Sequence, residues 1–156
     1  MPIELAKSTL NTRPALRFAG LKIPITERAA QDIPALWQEF MAGQPFNFAK
    51  GNTAFGLCIA GQNGTEYMAA VEVQPEINLP QQWVQLTTPA ASFEVFPHSQ
   101  PVWRLRETIE AIFAPGGLTH MHQPINNLAF FEQYTAEYNP QTGLGGISIW
   151  VPVQQN

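Results

Sequence analysis

The segment Leu128-Ala129-Phe130-Phe131-Glu132-Gln133-Tyr134 carries one acid among aromatic and apolar residues. In an extended strand side chains alternate, so Leu128, Phe130, Glu132, Tyr134, Ala136 and Tyr138 share one face, and Ala129, Phe131, Gln133, Thr135 and Glu137 the other. A carboxylate on a greasy face is costly to bury unless something satisfies it. None of the eight Lys and Arg residues lies in this segment or in residues 146–153, its expected hairpin partner. The missing partner can be a ligand cation. At an effective dielectric of about 20, a cation ~4 Å away gains on the order of 4 kcal/mol, and ring faces nearby add about 0.5–2 kcal/mol. Two other arrangements fit the same pattern: the face can look to solvent, or an arginine from elsewhere, such as Arg17, can pair with Glu132.

Other reactive side chains offer less. His120 and His122 form an H-x-H in a Gly- and Pro-flanked loop, and His98 is a third imidazole, but a metal site needs three or four converging ligands and no Cys or acid adjoins the pair. No metal is expected. Cys58 sits between Leu57 and Ile59, the setting of an inert buried thiol. No Gly-rich loop follows a strand and opens a helix, so phosphate cradling lacks its motif and no cofactor is expected.

The elements that must position Glu132 recur in one order, strand, helix, strand, strand, twice. In the first copy residues 13–25 are β-rich. Residues 27–42 carry Ala29, Ala30, Ile33, Leu36, Trp37, Phe40 and Met41 at helical spacing, with Thr26 as cap, Gly43 as stop, and a kink or restart expected at Pro34. Residues 53–59 and 66–74 then read as a hairpin turned by Gly61-Gln62-Asn63-Gly64. Two prolines in residues 75–82 mark the link. The second copy opens with a strand over residues 83–96, broken near Pro89, and a helix over residues 101–113. That helix is striped by Val102, Leu105, Ile109, Ile112 and Phe113 and stopped by Pro115-Gly116-Gly117. A hairpin over residues 128–138 and 146–153 closes it. The expected fold is α+β: two pseudo-symmetric β-α-β-β modules, about residues 1–76 and 83–156 of one domain, form an antiparallel sheet with both helices on one face and a ligand cleft between them.

Composition fits one such domain. A chain of 156 residues with 45% apolar and 11% aromatic content can bury a core, and tandem full-size domains are ruled out. Charged residues are only 13%, against a typical ~25%, and the 14 Gln and 9 Asn outnumber them. The net charge of −4 leaves no basic excess to neutralise a phosphate backbone, so direct nucleic-acid binding is not expected. The longest apolar stretch, residues 54–60, falls far short of the ~20 residues that span a bilayer. With a single cysteine and no signal segment in residues 1–10, a cytoplasmic location is expected.

The string Leu128-Ala129-Phe130-Phe131-Glu132-Gln133-Tyr134 resembles the apolar-Phe-Glu-x-Tyr strand of the gyrase-inhibitor-like small-molecule-binding domains, which also form the effector domains of AraC-type and multidrug-responsive regulators. Further pieces match in order: Ile33-Pro34-Ala35-Leu36-Trp37 through Phe40, Phe55-Gly56-Leu57-Cys58, Tyr67 through Val73, Ala91 through His98, and Ile149-Trp150-Val151-Pro152-Val153. The resemblance implies a pocket for lipophilic, often cationic, compounds with Glu132 as its acid. Tyr134 is the same-face neighbour of Glu132, as is Phe130, and Tyr67 matches the tyrosine of the first hairpin. Trp37 stands at the helix tryptophan as a wall, although its spacing equally suits the core stripe. Trp150 either caps the cleft or covers the opposite face of the sheet. Where the family often has Trp-Leu-Pro after the second helix, this chain has Phe113-Ala114-Pro115, and no helix-turn-helix segment is present.

The expected function is that of a stand-alone, non-enzymatic binding protein for lipophilic cations, a sensor or sequestering module with a link to transcription regulation. Two alternatives are a hydrolase of reactive electrophiles using Glu132 with Tyr134 and Tyr67, and an interaction module for a gyrase-like enzyme or a DNA-binding regulator.

Overall fold

The computed structural model describes residues 3–44, 46–75 and 77–154. Pro45, Glu76 within the inter-module link, and both chain ends lie outside the described residues. The elements run β1 (Thr9–Arg13), β2 (Leu16–Pro24), α1 (Ala29–Met41), β3 (Ala49–Gly61), β4 (Gly64–Val73), β5 (Val84–Thr88), β6 (Ala91–His98), α2 (Leu105–Phe113), β7 (Leu128–Tyr134) and β8 (Ile147–Pro152). A 3₁₀ turn, Val102–Arg104, leads into α2. No helix among the described residues is long and apolar enough to cross a membrane.

All eight strands form one antiparallel sheet in the order β1-β6-β8-β7-β3-β4-β2-β5. The order is palindromic: β5-β2-β4-β3 of one half repeats as β1-β6-β8-β7 of the other. The two expected modules meet edge to edge at β3 and β7. Their opening strands break where Pro14 and Pro89 stand and exchange partners, β1 pairing with β6 and β5 with β2. β1 precedes the expected first strand at residue 13: Thr-Leu-Asn-Thr-Arg has no apolar alternation to signal a strand, and its Leu10 is exposed at the sheet edge.

One face of the sheet, the inner one, is closed by curling. Phe18 on β2 and Phe131 on β7 are three strands apart, ~14 Å in a flat sheet, yet their ring centroids lie 5.6 Å apart. Phe93 on β6 reaches the same Phe131 ring at 5.5 Å. These rings, with Phe55, Leu57, Met68, Leu128 and Trp150, form a core that needs no helix. On the outer face α1 covers β2 and β4 through Leu36 and Phe40 on Ala19, Leu21, Ala69 and Val71, and α2 covers β6 and β8 through Leu105 and Ile112 on Phe96, Ile149 and Val151. Between the two helices lie the outward residues of β3 and β7.

Three local expectations are corrected. α1 is one continuous helix through Pro34, with no restart after Asp32. Thr26 does not cap α1: the helix starts at Ala29 without a side-chain cap, and Thr26 Oγ1 accepts instead from the backbone N–H of Arg28 at 3.1 Å. β7 ends at Tyr134 rather than residue 138, and residues 135–146 form a turn-rich connection in which Gly143, Gly145 and Gly146 take positive φ.

Candidate functional site

Strand parity decides what faces the seam between the helices. Tyr67 on β4 opposes Cys58 on β3, which opposes Phe130 on β7, and Gly56 opposes Glu132. Tyr67, Cys58, Gly56, Phe130, Glu132 and Tyr134 therefore share the outer face, flanked by Ala69 beneath α1 and Ile149 beneath α2. Gly56 and Glu132 exchange under the pseudo-two-fold and are also direct partners, so the axis passes between them. The acid stands on the dyad of the fold, at the middle of the seam.

Glu132 is 7% exposed. Its Oε1 accepts the hydroxyl of Tyr67 at 2.7 Å and that of Tyr134 at 2.7 Å, and Tyr67 in turn accepts the Trp37 indole N–H at 3.1 Å. Oε2 takes no hydrogen bond from any described residue, and it is not sealed, since Thr88 Oγ1 is the only described side-chain atom that is both buried and unpartnered. Among the described residues no Lys, Arg or His forms an ion pair with Glu132. Arg17, the alternative partner, bonds to Gln85 across the edge of the sheet. Of the three arrangements the sequence left open, the structure has the buried acid without a cation.

Burial pushes the Glu132 carboxyl above its usual range, against the two tyrosine hydroxyls, which draw it down. Burial and the neighbouring acid hold Tyr67 and Tyr134 well above the ordinary phenol range, so both remain donors. The same two causes push the Cys58 thiol up to about 11, which leaves it a poor nucleophile.

Aromatic rings surround the carboxylate. Trp37 leans from α1 across the seam until its ring lies 5.6 Å from that of Tyr134 and 6.5 Å from that of Tyr67. Tyr138 meets Tyr134 from the far side at 5.4 Å. Phe130, one pleat period from Glu132, contacts Phe113 at the end of α2 at 5.5 Å. The structure thus brings together Glu132, Tyr134, Tyr67, Trp37 and Phe130. It separates Trp150, which opposes Phe131 in register and stacks on it at 5.6 Å in the inner core. Trp150 covers the opposite face, the second of its two expected positions, because an apolar strand end buried on both faces gives no parity signal.

Two features were missed. Gly56 is what makes room for the site: a Cβ there would overlap the Tyr67 hydroxyl and lie 2.6 Å from Glu132 Oε1. A second buried acid, Glu94 on β6, is 1% exposed and accepts bonds from Ser8 Oγ (2.7 Å), Thr119 N and Oγ1, and His120 N. Its burial is outweighed by these donors, which hold its carboxyl below the usual range. Glu94 is a satisfied structural acid; Glu132 is not. The two loop histidines diverge, His120 toward Glu94 and His122 toward the Ala129 carbonyl at 2.7 Å.

Comparison with known proteins agrees with this architecture. SAV2435 bound to tetraphenylphosphonium superposes with a TM-score of 0.71 at 21% identity, over 96% of this chain and 94% of that one. A putative bacterial transcription regulation protein from Staphylococcus aureus MU50 gives 0.66 at 23% identity, over 96% and 99%. An integron cassette protein from Vibrio cholerae gives 0.57 at 11%, over 96% and 95%. At these identities the likeness is one of fold, the gyrase-inhibitor-like curled sheet with two helices. None of the curated proteins matches the sequence. The family described as integron-associated effector binding protein matches residues 9–153, and the chain belongs to that family.

Proposed function

We propose that this protein is a small-molecule effector-binding domain whose two modules act together to hold a lipophilic cation in the seam between α1 and α2. The observation that carries this reading is Glu132: a buried carboxylate with one oxygen held by two tyrosines and, among the described residues, no bond to the other oxygen and no cation to neutralise it. A ligand cation supplies that neutralisation, and Trp37, Tyr67, Tyr134 and Phe130 supply ring faces for its apolar body. Trp150 is not part of the proposed site. That SAV2435 has been seen with tetraphenylphosphonium supports the class of ligand, and the likeness to a putative transcription regulation protein supports a sensing role. Because these 156 residues carry no excess of basic side chains, any contact with DNA would be made outside them.

The test is fluorescence titration of a rhodamine or of a quaternary ammonium dye, with tetraphenylphosphonium as competitor. Glu132→Gln keeps the shape and removes the charge, and affinity is expected to fall at least tenfold, about 1.4 kcal/mol. Equal affinity of the two proteins refutes the reading.

A further inference from the structure

A second charged cluster lies at one mouth of the curled inner face, away from both helices. β3 leaves register there: Ala49 pairs with Val73 and Ala54 with Val71, so residues 50–53 stand opposite Glu72 alone. A bulge of this kind re-aims side chains. Here it sets Lys50 Nζ 3.2 Å from Glu72 Oε2, while Arg13 at the end of β1 comes only to 3.9 Å from Oε1. The Arg13 guanidinium rests over the Trp150 ring at 5.0 Å and donates no hydrogen bond to a described residue. Arg13, Lys50, Thr53, Glu72 and Gln133 provide the polar lining of a cavity of about 120 Å³, large enough for several waters or one small oxyanion.

Among the described residues the other Lys and Arg ion pairs are one to one, while Arg17 bonds to the neutral Gln85. Lys22, Arg28, Arg104 and Arg106 each face an acid of their own, Glu66, Asp32, Glu107 and Glu110. At the mouth two cations share one acid, leaving a positive surplus in a chain of net charge −4. The fold itself does not demand it. The pseudo-two-fold that exchanges Gly56 and Glu132 carries Arg13 to Thr88, Glu72 to Pro152 and Gln133 to Leu57. The stretch after the His122–Val153 bridge, which corresponds to the Ala49–Val73 pair and the bulge, is Gln-Pro-Ile-Asn-Asn. The same architecture closes at its other mouth without any charge at these positions.

We propose that this mouth binds a free small oxyanion of the phosphate or carboxylate class, taken by the guanidinium fork of Arg13 and the ammonium of Lys50, with the Gln133 amide and Thr53 hydroxyl as neutral donors. The site is independent of Glu132, which faces the other side of the sheet.

Inorganic phosphate and acetate are titrated into the protein with sodium chloride exchanged to hold ionic strength, and amide and indole NMR shifts are followed. Saturable binding is expected, with shifts centred on Gly51, Gln133 and the Trp150 indole. Arg13→Gln and Lys50→Gln each weaken it at least fivefold. Glu72→Gln tightens it at least threefold, because it removes the competing carboxylate. Glu132→Gln leaves it unchanged whether or not that variant still takes up cationic dyes. Lys50 lies on the exposed bulge, so Lys50→Gln reads the site even if Arg13→Gln perturbs the edge strand. Shifts that do not saturate beyond the chloride control, an affinity equal to the parent's in Lys50→Gln or in a folded Arg13→Gln, or weaker binding in Glu72→Gln overturns the proposal.

Discussion

Gly56 and Glu132 face each other across the central strand pair, one residue of each module, on either side of the pseudo-two-fold. The two halves of the fold are equivalent at this point in backbone and opposite in chemistry. One supplies a carboxylate and the other supplies nothing but space, and the Tyr67 hydroxyl and Glu132 Oε1 together fill it. A symmetric pair of acids here would repel at close range, and a symmetric pair of glycines would hold no charge.

Gly56→Ala therefore tests the site without touching any functional group. The added methyl overlaps the Tyr67 hydroxyl and presses on Glu132, and overpacking of this kind costs about 1–3 kcal/mol. Cationic-dye affinity is expected to fall about tenfold because the carboxylate must leave its position. Gly51→Ala is the control, since a Cβ there meets nothing within 4 Å. A Gly56→Ala protein that binds dye as the parent does would show that the carboxylate's placement is unimportant.

Glu132 should also leave a pH signature on stability. Its carboxyl sits above the usual range in the folded chain because of burial, so between the ordinary carboxylate pKa and the raised one the folded state holds more protons than the unfolded. Stability contributed by this group is then fully present at low pH and falls as pH rises through that window. Glu132→Gln is expected to melt higher than the parent at pH 7 to 8, by about 2–4 °C if the gain is ~1 kcal/mol, with the gap closing in acid. Dye affinity of the parent runs the other way and drops as pH falls and the carboxyl protonates. Thermal melts and titrations across pH 4 to 8 check both; a variant less stable than the parent at pH 8 contradicts the uncompensated charge.

How much of this was legible follows from range. Glu132 stands out in sequence because a lone acid on an alternating aromatic strand is a local signal, and the helices and hairpins that frame it are local too. The identity of its neighbour across the seam is not: a glycine in a strand says nothing about what fills its space. Trp150 was ambiguous because Ile149, Trp150 and Val151 are apolar on both parities, and only the register Phe131 to Trp150 assigns the face. The exchange of β1 and β5 between modules depends on pairings that the short, polar Thr9–Arg13 segment does not advertise. Glu94 was invisible as a fixed structural acid because its donors, Ser8, Thr119 and His120, lie 86, 25 and 26 residues away.

That second acid yields the opposite prediction from Glu132. Hydrogen bonds from Ser8, Thr119 and His120 hold its carboxyl below the usual range despite burial, so its contribution is present above the unfolded carboxylate pKa and is lost as pH falls through the folded one. Glu94→Gln keeps one oxygen for the Thr119 and His120 backbone donors but puts an amide donor where the other oxygen accepts the Ser8 and Thr119 hydroxyls, and it takes the charge from every one of these bonds, at a cost of about 1–3 kcal/mol. At pH 7 the variant is expected to melt lower than the parent, and amide exchange at Thr119 and His120 to accelerate, with the difference narrowing below pH 4. Dye affinity at pH 7 is expected to stay within twofold, since Glu94 bonds to the amino-terminal segment and this loop and has no contact with the Tyr67–Glu132–Tyr134 group. A Glu94→Gln protein as stable as the parent at neutral pH, or one that loses dye binding as Glu132→Gln does, would mean that the two buried acids do not divide structure and recognition between them.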